Sequence, residues 1–303
     1  MRKLLIVGDK LINWILFVAL CFIWGSSFIL MKWGMYETNQ QPVLSPYNVA
    51  ALRMLSSGVI MLPFLFHAIK LIPKKTLWYV LLSGWMGSFI PAFLFCIAET
   101  KVDGALAGSL NSLTPLFVIL SGILFFKIRS NQQQVIGVLV GLMGCVILAY
   151  ANYSKPFGYI AYSGFIIIAT FLYGINVNMV HKKLASVTSI HIATVAFTGL
   201  IPPALIVLFF TGYFHLPLTE HKYIISTLSS CVLGIMGTAL ASVLFYVFVK
   251  RSGGLLASLV TYGVPFIAIL WGIYYGEIIT YIHIIALLVI LAGVYIAYRQ
   301  KKS

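Results

Sequence analysis

The chain has 303 residues, of which 61% are hydrophobic and only 9% charged, with a mean hydropathy of +1.02. This composition excludes a soluble globular protein. The net charge of +14 does not point to nucleic acid either, because the cations lie between apolar runs rather than on one basic face with interleaved aromatics.

Ten apolar runs are long enough to span a bilayer, at roughly 11–35, 45–67, 77–98, 104–126, 134–152, 158–180, 187–211, 223–249, 253–276 and 279–298. The first follows Arg2, Lys3 and Lys10 but is too long for a signal-peptide core and lacks a small-residue cleavage site, so it reads as a transmembrane helix. Connections of about ten residues or fewer leave no soluble domain. The predicted fold is therefore an all-α polytopic membrane protein of ten transmembrane helices.

Of the 20 lysines and arginines, 15 fall at the two chain ends and in every second connection: Lys70, Lys74 and Lys75, then Lys127 and Arg129, Lys182 and Lys183, and Lys250 and Arg251. This bias puts both termini on the cytoplasmic side, N-in and C-in.

The fourth run, Gly104 to Phe126, is repeated by Gly254 to Gly276. At an offset of 150 residues Gly104 meets Gly254, Ala107 meets Ala257, Pro115 meets Pro265 and Gly122 meets Gly272, and from 84 to 122 there are 12 identities in 39 positions. The chain thus reads as a duplication, with a first five-helix repeat over 11–152 and a second over 158–298. Five is odd, so the second copy enters the membrane the opposite way up. Such inverted repeats place a site at the interface of the halves and support alternating access.

Pro115 and Pro265 mark expected helix breaks. Each removes a backbone donor and frees the carbonyl four residues earlier, on Asn111 and Thr261. Pro115 lies ~16 Å into its run, near the centre of a ~30 Å hydrocarbon layer, where irregular backbone is tolerated only if buried in protein or lining a wet cavity.

Other polar groups follow the same depth. In the first run Trp24 and Ser27 share a helix face, as do Tyr173 and Asn176 in the sixth. Ser242 and Tyr246 in the eighth, Thr114 in the fourth, and Thr261 and Tyr262 in the ninth complete a candidate cavity of aromatic walls and neutral hydrogen-bonding groups. Arg53 is the one full charge deep in a span, ~12 Å in. Two roles are open to it: receiving a substrate carboxylate, or bonding freed carbonyls to hold helices together. No acid is at mid-membrane, which argues against dedicated export of organic cations; Glu99 and Glu277, at outer helix ends, are the candidates for proton coupling. The six histidines and four cysteines show no metal-ligand spacing, and no catalytic motif is present, so neither metal, cofactor nor enzyme activity is expected. Gly137, Gly141 and Gly144 in the fifth run and Gly293 in the tenth form small-residue faces suited to packing between halves.

Trp24-Gly25-Ser26-Ser27-Phe28, Leu52-Arg53, the stretch from Ala105 to Pro115 with its Leu-rich continuation, the Gly137 to Gly144 tail and their second-half echoes resemble the EamA-type transporters of the drug/metabolite transporter superfamily, over residues 11–298. The resemblance implies a carrier in the bacterial inner membrane, with helices one to four and six to nine around a central cavity and helices five and ten as braces. It also implies small metabolites as substrates, amino acids first, often moved outward. The leading expectation is an exporter of small neutral or zwitterionic metabolites, acting as a monomer in the lipid bilayer. A flippase or carrier of lipid-linked, sugar or choline-like substrates is the alternative, and a non-transport scaffold or sensor ranks last.

Overall fold

A computed structural model describes residues 2–37, 41–128, 131–151, 157–276 and 279–298. Among these residues there are helices and no strand; a single bridge pairs Tyr36 with Pro42 in a loop. Eight helices are long and apolar enough to cross a membrane: α1 (Leu11–Met35), α2 (Pro46–Leu71), α3 (Lys74–Ala98), α4 (Gly104–Phe126), α6 (Ala161–Lys183), α7 (Ser189–Phe210), α8 (His221–Ser252) and α9 (Gly254–Tyr274). Two further helices, α5 (Gln132–Ala151) and α10 (Tyr281–Tyr298), pack on each other. The outer surface is apolar: Phe66 and Phe210 are 78% and 81% exposed, an arrangement suited to lipid and costly in water. This is a multi-pass membrane protein.

The duplication is visible in how the helices begin and bend. Ser45 caps α2 by accepting from the Asn48 backbone N–H at 3.1 Å, and Thr188 caps α7 by accepting from His191 at 3.4 Å. Both α3 and α8 contain a widened π-helical turn, Trp85–Phe89 and Leu233–Leu240, and the paired glycines Gly87 and Gly237 lie inside them. Such turns loosen the backbone ladder and are common at functional sites.

The break in α4 falls at Ser112 and Leu113, so that Pro115 sits in the first turn of the second half, where its missing N–H costs no hydrogen bond. The Asn111 carbonyl accepts from the Thr114 hydroxyl at 2.7 Å. In α9 the break comes earlier than expected, at Leu259, and Pro265 lies inside the continuing helix. The Thr261 carbonyl accepts from Ser112 of α4 at 3.0 Å, so a backbone group in one repeat is satisfied by a side chain from the other.

Between α5 and α10, a β-carbon added to Gly293 would lie 2.5 Å from the Gly137 carbonyl oxygen, and one on Gly144 would lie 2.8 Å from that of Ala286. The small-residue faces bring these two backbones together.

Candidate functional site

The middle of the bundle encloses a cavity lined from α1, α2, α3, α4, α6, α8 and α9. Water-sized molecules have about 90 Å³ there for their centres, room for more than one water. Ten of the eleven candidate cavity residues line it together: Trp24, Ser27, Arg53, Asn111, Thr114, Tyr173, Asn176, Ser242, Tyr246 and Thr261. Tyr262 does not. It follows Thr261 directly, about 100° further round the helix, and its hydroxyl points at α5, 3.7 Å from where a β-carbon on Gly141 would be.

Local irregularities aim these groups. A turn at Ser26 interrupts α1, and Trp271 Nε1 donates to the Ser26 hydroxyl at 2.9 Å. Beside it, Trp24 Nε1 donates to the Gly237 carbonyl at 3.1 Å and its ring lies 5.0 Å from that of Phe245. The π turn of α8 thus offers a carbonyl to α1. It also offers a hydroxyl to α2, because Arg53 Nε donates to Thr238 Oγ1 at 2.6 Å. Close backbone approach makes this reach possible. Gly234 leaves room for the Ser56 hydroxyl and the Arg53 carbonyl beside it, and Ser56 Oγ donates across to the Cys231 carbonyl at 3.3 Å.

A second cluster closes the other side of the cavity. Ser83 Oγ donates to Asn176 Oδ1 at 2.7 Å and lies 3.1 Å from the Tyr246 hydroxyl, joining α3, α6 and α8 through three buried polar groups. Tyr173 stacks on Phe95 with centroids 6.1 Å apart and ring planes at 21°. Asn178, two residues past Asn176, turns away and donates to the Val118 carbonyl at 2.7 Å and Ser121 Oγ at 2.9 Å, tying α6 to α4.

Among the described residues Arg53 is the only charged one of the lining, and it is 9% exposed. Glu99 stands just past the end of α3, is 3% exposed and lies outside the lining. It acts on Tyr36: burial first, then the Glu99 charge, push that phenol up from its usual value, while Lys32 opposes them. Glu277 lies outside the described residues. No group of three or more His, Cys, Asp or Glu suited to a metal occurs among the described residues.

Thr238, Phe245, Phe95, Gly87 and Gly237 are lining residues that the sequence reading passed over. A signal for Thr238 was available: it stands four residues before Ser242 and eight before Tyr246, on the same helical stripe.

Both halves of the chain, 12–150 and 161–299, match the EamA-like transporter family. The chain belongs to that family. A probable amino-acid metabolite efflux pump of Salmonella typhimurium strain LT2 is 27% identical over 165 residues, 54% of this chain and 50% of that protein. A pump of the same description in Escherichia coli K12 is 25% identical over 57% of this chain and 54% of its own length. An uncharacterized transporter of Archaeoglobus fulgidus is 23% identical over 48% and 50%. The chain spans about half the length of these relatives. One solved crystal structure superposes with a TM-score of 0.66 over 96% of this chain and 97% of its own, at 18% identity, a likeness of fold alone.

Proposed function

We propose that this EamA protein is a secondary carrier, exporting small neutral or zwitterionic metabolites, amino acids first, by alternating access across a bacterial inner membrane. The observation that carries the reading is the convergence of Trp24, Arg53, Asn111 and Thr114 from the first half with Tyr173, Asn176, Ser242, Tyr246 and Thr261 from the second on one cavity. Helices of two inverted repeats meeting around a polar space at mid-membrane are the arrangement that alternating access requires. The efflux pumps of S. typhimurium and E. coli support the substrate class.

In this reading the repeats are 11–152 and 158–298, α5 and α10 complete ten spans, both termini are cytoplasmic, and the carrier works as a monomer. The cytoplasmic excess of Lys and Arg supports the orientation. The cavity's size favours substrates of the class of a single amino acid over a lipid-linked sugar.

Counterflow tests the reading. Proteoliposomes preloaded with unlabelled neutral amino acids should accumulate external label, and Asn111→Leu should abolish accumulation in a protein that still elutes as a folded monomer. Absence of counterflow with every neutral amino acid would reject the amino-acid assignment.

A further inference from the structure

The buried guanidinium of Arg53 has more donors than the protein uses. Its Nε is bonded to Thr238 at 2.6 Å, and no other described residue hydrogen-bonds its side chain. Nη1 and Nη2 are not sealed among the buried polar atoms that lack partners, and Arg53 belongs to the cavity wall. The uncommitted Nη N–H groups are thus available to the cavity that Arg53 lines. A planar fork of this kind matches the two oxygens of a carboxylate, and a cation at such depth is stabilised by a paired anion.

The rest of the lining says what else is recognised. Among the described residues it contains no Asp or Glu, so none of them offers an ammonium group a full countercharge. Glu99 is nearby, in that Cys96 lies within electrostatic reach of both Arg53 and Glu99, but it stands outside the wall. Beside neutral polar groups such as Asn111 and Asn176, the lining carries an aromatic set of Trp24, Phe28, Phe95, Tyr173, Phe245 and Tyr246, which suits an apolar side chain.

We propose that Arg53, held by Thr238, is the carboxylate receptor of this cavity. The carrier selects small monocarboxylates with an apolar or aromatic side chain, whether or not they bear an amino group. The inference deepens the carrier reading and rests on it for transport. It extends the substrate class from amino acids to 2-oxo and 2-hydroxy acids of the same shape.

The test is competition against labelled leucine in counterflow, with leucine, 4-methyl-2-oxopentanoate, leucinamide and 3-methylbutylamine as competitors, and binding of the same compounds to the purified protein through Trp fluorescence. The expected result is that the oxo acid matches leucine within about threefold, whereas the two compounds without a carboxylate are about 10- to 100-fold weaker, as loss of a charge-assisted contact requires. In Arg53→Gln the acid-to-amide preference should vanish, a readout that a purely structural arginine would not move. Arg53→Lys, which keeps a point charge without the fork, should reduce the preference and decides the matter if Arg53→Gln does not fold. Thr238→Val should weaken acids more than amides. Leucinamide binding as well as leucine, or a preference unchanged in the arginine variants, would overturn the inference while leaving the carrier standing. Carboxylate-selective binding without any counterflow would uphold the receptor and reject the carrier reading instead.

Discussion

The side-chain amide of Asn176 rests against the bare α-carbon of Gly87: a β-carbon there would collide with Nδ2 and lie 2.7 Å from Cγ. Its counterpart across the duplication is Gly237, where a β-carbon would meet Ser27 Oγ at 2.8 Å. In both halves a π turn presents a glycine, and the polar group of the first or sixth helix fills the space that a side chain would take.

Gly87→Ala should therefore displace Asn176 from Ser83 and from the cavity. Overpacking of this kind costs about 1–3 kcal/mol, and we expect counterflow to fall about tenfold or more. Gly237→Ala should be milder, because the atoms it meets, Ser27 Oγ at 2.8 Å and Leu233 Cδ1 at 3.0 Å, lie farther off than the Asn176 amide does at Gly87. Thermal unfolding in detergent alongside counterflow ranks the two, and equal tolerance of both alanines would contradict the packing described.

Tyr246→Phe removes one hydroxyl from the Ser83 cluster and leaves the ring in place. The stability loss should be about 0.5–1.5 kcal/mol. Tyr246→Ala also empties the aromatic wall and should abolish flux. A phenylalanine variant as inactive as the alanine variant would assign the hydroxyl, not the ring, to substrate contact.

Ser112→Ala takes away the donor that satisfies the Thr261 carbonyl across the repeat boundary. Interhelical hydrogen bonds in membranes are worth about 0.6 kcal/mol on average and up to about 1.7, so a loss of about 1 kcal/mol is expected from unfolding in denaturing detergent. Thr114→Ala should cost less, since its bond to Asn111 lies within one helix end. The reverse order would show that the inter-repeat bond is not what holds the two broken helices together.

Glu99→Gln tests coupling. If this buried acid carries the proton, stimulation of flux by an imposed pH gradient should disappear, while counterflow, which needs no net proton movement, persists. Gradient-stimulated flux that survives the substitution would remove Glu99 from the coupling path.

Much of the molecule follows from local properties of the chain. Hydropathy alone determines that it lives in a bilayer, because unbroken apolar runs leave no surface for water. The 150-residue offset determines a duplication, and the paired prolines and the Trp24–Ser27 and Tyr173–Asn176 spacings mark which helix faces are polar at depth. What the tertiary structure decided is which of those groups meet. Thr261 and Tyr262 are neighbours in sequence, yet only Thr261 reaches the cavity, since consecutive side chains on a helix diverge and the packing of α9 against α1 and α4 chose the face. Thr238 shares a helical stripe with Ser242 and Tyr246, yet only the π turn of α8 and the close backbone approach at Gly234 brought it to Arg53. A hydrogen bond between residues 185 positions apart depends on the relative placement of two helices, and that placement is set by side-chain packing summed over the whole bundle rather than by any local stretch of sequence.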